Sequence, residues 1–113
     1  MSNLIKIEGV TTVALRQIVD EHGAVLHMLR NDAPDFIKFG ECYFSEVFPG
    51  AIKAWKLHRE KTQNLAVPLG RIRLVIYDDR VGSITRGNLQ IQELGRPDAY
   101  ERGQVPPGRW YGF

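Results

Sequence analysis

Residues 50–70, GAIKAWKLHREKTQNLAVPLG, carry the most informative pattern in the chain. Two glycines enclose a run in which side chains alternate in character, and in a β-strand successive side chains point to opposite faces. Lys56 and His58 therefore share one face of a predicted strand over residues 52–58, and Trp55 lies on the other. The segment predicts a strand that places a charged and a titratable side chain in the same space.

The rest of the chain reads as short strands separated by turns, with hardly any helix. Gly, Pro, Asn and Asp mark the reversals, because they supply the φ values that tight turns need. Many short strands at near-regular spacing are typical of a sandwich or barrel. The polar stretches over residues 80–88 and 95–103 are expected to be surface connections. The other predicted strands cover residues 10–19, 24–29, 42–48, 65–68, 71–77 and 89–94.

Size and composition limit the class of protein. The chain has 113 residues, of which 43% are hydrophobic and 25% charged, and we expect residues 1–113 to form a single globular domain. No stretch approaches the roughly 20 apolar residues of a membrane-spanning helix, and the first residues do not read as a secretory signal. We therefore expect a cytoplasmic protein with no membrane partner.

Charge and cysteine content exclude further classes. The net charge of +2 falls short of the basic surface expected of a nucleic-acid-binding domain, and it leaves small anionic ligands open. Cys42 is the only cysteine, which excludes an internal disulfide and a thiolate metal site built from this chain alone.

The spacing of the first segment resembles the first sequence motif of the cupin superfamily. That motif has a strand with His-x-His, then a glutamate, between two glycines, and here Lys56, His58 and Gln63 stand at the three ligand positions. Residues 106–111, PPGRWY, resemble the second motif, Pro-x-Gly-x-x-His, whose ligand falls at Tyr111. The resemblance implies an all-β fold, the cupin-type double-stranded β-helix or jelly-roll barrel.

Only one of the four cupin metal ligands remains, at His58. Neither a lysine ammonium nor the carboxamide of Gln63 replaces an imidazole ligand of zinc, iron or copper. We therefore expect no bound metal and no cofactor.

Further stretches resemble the dTDP-4-dehydrorhamnose 3,5-epimerase family, whose members act on nucleotide-linked 4-keto-6-deoxy sugars. Residues 20–23, DEHG, are similar to that family's Asp-Glu-Arg-Gly turn, and residues 57–58, LH, fall within its Arg-Gly-Leu-His. Residues 75–80, VIYDDR, resemble its strand ending in Asp-Leu-Arg, and residues 105–113 resemble its Ile-Pro-Pro-Gly-Phe-Ala-His-Gly-Phe. The likeness spans nearly the whole chain, although members of the family are usually longer.

The resemblance implies an isomerase that removes and returns a proton on a carbon next to a carbonyl, in the synthesis of deoxysugars for surface polysaccharide. A neutral imidazole suits this task near physiological pH, and the family's base falls at His58. The family's orienting aspartate and proton-returning tyrosine correspond to positions beyond Phe113. Its phosphate-binding arginine corresponds to Trp55, and its enolate-stabilising lysine to Gln63.

Five residues are candidate contacts for a nucleotide-sugar substrate. Lys56 would replace the missing lysine charge, and a carboxamide at position 63 can donate a hydrogen bond to an enolate. Tyr111 is either a pocket hydroxyl or a capping aromatic, and His22 either touches a phosphate or is an exposed turn residue. Arg59 would help to gather a diphosphate, or lies at a solvated strand end. The candidates are Lys56, Gln63, Tyr111, His22 and Arg59.

Three functions stay open. The first is a nucleotide-sugar epimerase with His58 as base, the second is a non-catalytic cupin that binds a sugar nucleotide or another small anion, and the third is a structural module that assembles with another chain. Trp55 and Leu57 face away from the predicted pocket, where an apolar surface indicates a homodimer interface, unless residues 4–10 cover them.

Overall fold

The chain is built from short antiparallel β-strands in this computed structural model, which describes residues 6–113. Among these residues no helix occurs, and so none that could cross a membrane. The all-β class expected from the sequence is confirmed. The strands are β1 (Thr11–Ala14), β2 (Gln17–Asp20), β3 (Gly23–Leu26), β4 (Gln63–Leu65), β5 (Arg71–Tyr77), β6 (Leu89–Gly95), β7 (Glu101–Val105) and β8 (Trp110–Gly112).

Two three-stranded sheets and one hairpin contain these strands. The first sheet has the order β1-β7-β4, the second has the order β6-β5-β8, and β2 pairs with β3. Thr11 lies opposite Gln104 in the first sheet, so the beginning and the end of the described chain are hydrogen-bonded neighbours. In the second sheet Ile76 lies opposite both Gln90 and Tyr111.

The hydrophobic core lies on the inner face of the second sheet. Leu74 and Ile76 alternate with outward-facing neighbours along β5, and both are completely buried. They pack with Leu94 of β6, Tyr111 of β8 and two other buried residues, Val105 of the first sheet and Ile7 of the N-terminal segment. The predicted strand over residues 71–77 is therefore confirmed, because its alternation reflects one buried and one exposed face.

Replacement of Leu74 by alanine tests this core. We expect Leu74→Ala to lower the free energy of unfolding by about 2–5 kcal/mol, because it removes buried methyl groups and leaves a cavity. Leu69→Ala, at an exposed position, is the matched control and should change stability by less than about 0.5 kcal/mol. Urea unfolding followed by tryptophan fluorescence measures both, and equal effects of the two changes would contradict this assignment of the core.

The hairpin of β2 and β3 turns at the DEHG sequence, as predicted. The Asp20 carboxylate accepts hydrogen bonds from the backbone N–H groups of His22, at 2.7 Å, and Gly23, at 3.1 Å. Gly23 has a φ of 144°, which a glycine adopts without strain. The side chain of His22 is exposed at the tip of this turn.

A buried carboxylate, Asp78, organises the loop that follows β5. It accepts hydrogen bonds from the hydroxyls of Ser83, at 2.7 Å, and Thr85, at 2.6 Å, and from the Arg80 guanidinium, at 2.9 Å. These hydrogen bonds hold the pKa of Asp78 well below its usual range, and the bond from Arg80 has the largest effect. The predicted surface connection over residues 80–88 is confirmed, and its inner side is fixed by this carboxylate.

The stabilisation by Asp78 should depend on pH. Its pKa is lower in the folded chain than in the unfolded chain, so the stabilisation is fully present above about pH 4 and is lost as the pH falls through the folded pKa. We expect Asp78→Asn to cost about 2–3 kcal/mol at pH 7 and progressively less in acid. Unfolding curves at pH 7 and pH 3 measure the difference. Asp79→Asn, at the exposed neighbouring position, should show neither effect.

The region over residues 95–103, predicted as a surface connection, instead contains part of β7, the central strand of the first sheet. Arg102 of this strand is buried and forms two hydrogen bonds with the Asp35 carboxylate, at 2.7 and 2.8 Å. It also donates to Asn64 of β4, at 2.8 Å, and to the backbone oxygen of Met28, at 3.0 Å. The prediction was wrong because these polar residues satisfy one another inside the fold rather than facing solvent.

The predicted strand over residues 42–48 was also wrong. In the described chain, no backbone hydrogen bond joins residues 38–47 to any strand. β-Branched and aromatic residues favour a strand only where a neighbouring strand can pair with it. The longer stretch over residues 37–52 instead exposes six large apolar side chains, those of Ile37, Phe39, Tyr43, Phe44, Phe48 and Ile52.

Candidate active site

Residues 52–58, predicted as a regular strand, run beside β8 through two separate pairings. Lys53 and Phe113 exchange backbone hydrogen bonds of 2.7 and 3.1 Å, and Lys56 and Tyr111 exchange bonds of 2.8 and 3.0 Å. Three steps along one segment therefore match two steps along the other, which is the arrangement of a β-bulge. The regular strand was a wrong prediction, although the segment does lie along a strand edge.

The bulge changes which side chains share a face. Gly112 lies between the two pairings, and a Cβ atom added there would fall 2.5 Å from the Cβ of Ala54, so a glycine is needed for this close approach. Regular alternation would place Lys53 and Lys56 on opposite faces. Their ammonium groups instead lie 6.0 and 5.9 Å from the centre of the Phe113 ring, a distance at which a cation and an aromatic ring attract each other.

His58 meets the hydroxyl of Tyr111. The Nε2 atom lies 3.0 Å from the tyrosine oxygen, and the two ring centres are 5.8 Å apart. The backbone oxygen of His58 accepts a hydrogen bond of 2.8 Å from Gly108, in the predicted Pro-Pro-Gly turn. The two cupin-like motifs, which are separated by about fifty residues in sequence, therefore come together at one side-chain pair.

The tyrosine of this pair belongs to the hydrophobic core. Tyr111 is 2% exposed, and burial raises its pKa to about 12, with a smaller contribution from Tyr43. Its hydroxyl is therefore protonated at neutral pH, whereas the imidazole of His58 is only half-buried. The sequence left this tyrosine open as a pocket hydroxyl or a capping aromatic, and in the fold its hydroxyl points at the histidine.

Tyr43 is a residue near the site that the sequence analysis missed. It lies in the exposed segment over residues 37–52, yet it is close enough to Tyr111 to influence the pKa of the buried hydroxyl. No motif in the sequence marks it. Tyr43 comes close to Tyr111 only through the path of this segment, which forms no strand.

The two lysines beside the Phe113 ring differ in their contacts. The ammonium of Lys53 donates to the Ser45 hydroxyl, at 2.7 Å, and to the backbone oxygen of Glu46, at 3.1 Å. The ammonium of Lys56 has no hydrogen-bond partner among residues 6–113, and its side chain is half-buried. Of the two ammonium groups, that of Lys56 is therefore the less constrained by the described residues.

The other candidate contacts form no side-chain hydrogen bond with this pair among residues 6–113. Gln63 is half-buried in β4, where it is paired with Val105 of β7. Arg59 follows His58 and is exposed, and His22 lies in the β2–β3 turn. In the part of the chain that the structure describes, no side-chain hydrogen bond links any of these three to His58.

The donor set at the motif positions does not fit a transition metal. Of Lys56, His58, Gln63 and Tyr111, only the histidine is a usual ligand of zinc, iron or copper. Across residues 6–113, no group of three His, Cys, Asp or Glu side chains is placed to hold a metal ion.

The antiparallel strands, the half-buried histidine and the Pro-Pro-Gly turn beside it define a cupin-type protein with a hydrogen-bonded His–Tyr pair at two of the motif positions. In a comparison with solved structures, the chain is similar to a dTDP sugar isomerase from Desulfovibrio desulfuricans G20. The two are 52% identical and superpose with a TM-score of 0.93, over 98% of this chain and 71% of the other. The predicted cupin-type fold is confirmed.

Two curated proteins are also similar in sequence. The probable low-salt glycan biosynthesis epimerase Agl13 of Haloferax volcanii is 31% identical over 109 residues, which are 95% of this chain and 69% of that protein. The spore coat polysaccharide biosynthesis protein SpsL of Bacillus subtilis is 30% identical over 89 residues, which are 79% of this chain and 59% of that protein. No family model matches the chain. The chain belongs to the dTDP-sugar epimerase family, as its motifs predicted.

Proposed function

We propose that the chain acts as an epimerase or isomerase on a 4-keto-6-deoxyhexose linked to a nucleoside diphosphate, in deoxysugar and surface polysaccharide synthesis. His58 is the base that removes a proton from a carbon next to the keto group. The keto group itself acidifies that carbon, so the proposed reaction is independent of metal and cofactor. The names of the relatives, a glycan biosynthesis epimerase, a spore coat polysaccharide biosynthesis protein and a dTDP sugar isomerase, support this substrate class.

The observation that carries the proposal is the contact between His58 and Tyr111. A half-buried imidazole held by a buried hydroxyl is oriented but still accessible to a ligand, as a general base must be. The ammonium of Lys56, which has no hydrogen-bond partner within residues 6–113, adds positive charge that attracts the diphosphate or the enolate. Gln63, Arg59 and His22 remain proposed substrate contacts.

A second candidate function is a non-catalytic cupin that binds a sugar nucleotide or another small anion. One observation favours it: within residues 6–113, no carboxylate is hydrogen-bonded to His58. In the resembling family an aspartate orients the base, and without such a partner the imidazolium formed during catalysis is less stabilised.

Proton exchange separates the two functions. The protein would be incubated with a dTDP-4-keto-6-deoxyhexose in deuterated water while NMR follows the signals of the protons flanking the keto group. We expect these signals to disappear with the unmodified protein, and His58→Ala to slow the loss by about 10²–10⁴-fold, the usual contribution of a general base. His27→Ala, at another half-buried histidine, should exchange at the unmodified rate.

Two outcomes would contradict the proposed enzyme. Exchange that persists in His58→Ala would assign the base to another residue. Ligand-induced shifts without any exchange in the unmodified protein would establish the binding protein instead.

We also propose that the chain forms a single domain and assembles as a homodimer. The pairing of β1 with β7 across the whole described chain supports one domain. Trp55, 51% exposed, lines a shallow cavity of about 310 Å³ with Tyr77 and Trp110. Residues 6–10 leave this aromatic face open, and residues 4–5 of the alternative covering segment lie outside the described residues. A cytoplasmic location stays a prediction.

The exposed segment over residues 37–52 is the second half of the proposed interface. It offers apolar side chains and backbone groups without strand partners in the described chain, and such a segment is stabilised when it pairs with another chain. The aromatic face beside Trp55 offers apolar surface on the same molecule. A second copy therefore covers both features at once by two-fold symmetry.

Disruption of this segment tests the dimer. We expect the unmodified protein to sediment as a dimer at micromolar concentration, and Phe44→Asp, at a side chain that is 95% exposed, to shift it toward monomer because a charge would be buried at the interface. Val81→Asp, at a side chain that is 87% exposed in another loop, is the control and should remain a dimer. Monomeric unmodified protein in analytical ultracentrifugation would disprove the assembly.

A further inference from the structure

The hydroxyl of Tyr111 has one hydrogen-bond partner in the described chain, the Nε2 atom of His58 at 3.0 Å. The phenol ring is held firmly, because its backbone pairs with Ile76 of β5 on one side and with Lys56 on the other. The ring is also packed in the core. A rigid donor of this kind can be aimed at a ligand without a cost of reorganisation.

The hydrogen bond between His58 and Tyr111 can form in two directions, with either side chain as the donor. If the tyrosine donates to Nε2, the neutral imidazole carries its own proton on Nδ1 and has no free lone pair for a substrate. If Nε2–H of His58 donates to the tyrosine oxygen, the Nδ1 lone pair is free. In that arrangement the hydroxyl proton of Tyr111 is free as well, since no other group in residues 6–113 accepts it.

We propose that the second arrangement is the active one, and that Tyr111 donates its hydroxyl hydrogen bond to the keto oxygen of the substrate and stabilises the enolate. The inference rests on the proposed function, with His58 as base, and adds to it a catalytic residue that touches the reacting oxygen. One side-chain pair then serves both ends of the enolising group, the acidic carbon and the carbonyl oxygen.

In the proposed step, His58 and Tyr111 act on the two ends of the enolising group. The Nδ1 lone pair of His58 takes the proton from the carbon next to the keto group, and the C–H electron pair becomes the new C=C bond. The carbonyl π pair moves to the oxygen, which accepts the hydrogen bond from Tyr111. The imidazolium formed donates through Nε2–H to the tyrosine oxygen, which strengthens the tyrosine as a donor. For inversion, water supplies a proton to the opposite face of the carbon, the C=C pair forms the new C–H bond, and the oxygen pair restores the carbonyl. The hydroxide formed takes the proton from the imidazolium and becomes water.

The properties of the hydroxyl agree with this role. Burial raises the pKa of Tyr111 to about 12, so it remains a neutral donor throughout the physiological range. Gln63 stands where the resembling family has a charged lysine, and it is not bonded to His58 in the described chain. A donor next to the base compensates for that missing charge.

Removal of the hydroxyl tests the proposal. Tyr111→Phe keeps the buried ring, and we expect the rate of deuterium exchange next to the keto group to fall by about 10²–10³-fold, the usual loss for one oxyanion donor, with little change in KM. Tyr100→Phe is the matched control, because it removes the hydroxyl of another buried tyrosine, which donates to the backbone oxygen of His27 at 2.7 Å. It should exchange at the unmodified rate.

A measurement without substrate tests the pair even if Tyr111→Phe does not fold. In protein labelled with ¹⁵N-histidine, long-range ¹H–¹⁵N correlations report which ring nitrogen carries the proton, and the His58 signals are those missing from His58→Ala. We expect neutral His58 to be protonated on Nε2. Protonation on Nδ1 would overturn the inference, because the tyrosine proton would then be committed to the imidazole.

The outcomes distinguish this inference from the proposed function. If His58→Ala loses exchange while Tyr111→Phe keeps it, the base is correct and the role of Tyr111 is disproved. If the unmodified protein shows no exchange at all, the proposed enzyme fails, and the inference that rests on it fails as well. Loss of exchange in both variants, with Tyr100→Phe unchanged, supports both.

Discussion

The backbone pairing of Lys56 with Tyr111 is the contact on which the candidate site depends. On its other side, Tyr111 is paired with Ile76 in the centre of the second sheet, so the tyrosine ring is part of the core and its hydroxyl has a fixed position. The segment that carries His58 is attached to this strand, and its imidazole is thereby brought to the hydroxyl. The geometry of the site therefore follows from the packing of the core, which is the most rigid part of a small β protein.

The bulge beside this pairing gives the site its charge. A regular strand would send Lys53 and Lys56 to opposite faces, whereas the extra residue opposite Gly112 brings both ammonium groups to the Phe113 ring. The Lys53 ammonium forms two hydrogen bonds within the fold. Bulges commonly re-aim side chains next to functional sites, and among residues 6–113 this one leaves the Lys56 ammonium without a hydrogen-bond partner.

Predictions from pattern succeeded where a strand has one buried and one exposed face. The region over residues 71–77 alternates clearly, and it is the strand that supplies Leu74 and Ile76 to the core. The polar pattern over residues 95–103 gave a wrong prediction of a surface connection, because Arg102 is buried and is paired with the Asp35 carboxylate rather than solvated by water. The prediction of a strand over residues 42–48 was also wrong, since a strand needs a partner and propensity alone does not supply one.

The sequence by itself determined the all-β class and the family, because motif spacing and turn residues are local properties that a single chain displays. Only the tertiary structure decided that the Tyr111 hydroxyl meets His58 and that Tyr43 lies near the pair. It also decided that, within residues 6–113, the ammonium of Lys53 but not that of Lys56 is hydrogen-bonded. These contacts join residues far apart in sequence or depend on a one-residue bulge. Alternation in the sequence cannot reveal them, because one extra residue moves every following side chain to the opposite face of the strand.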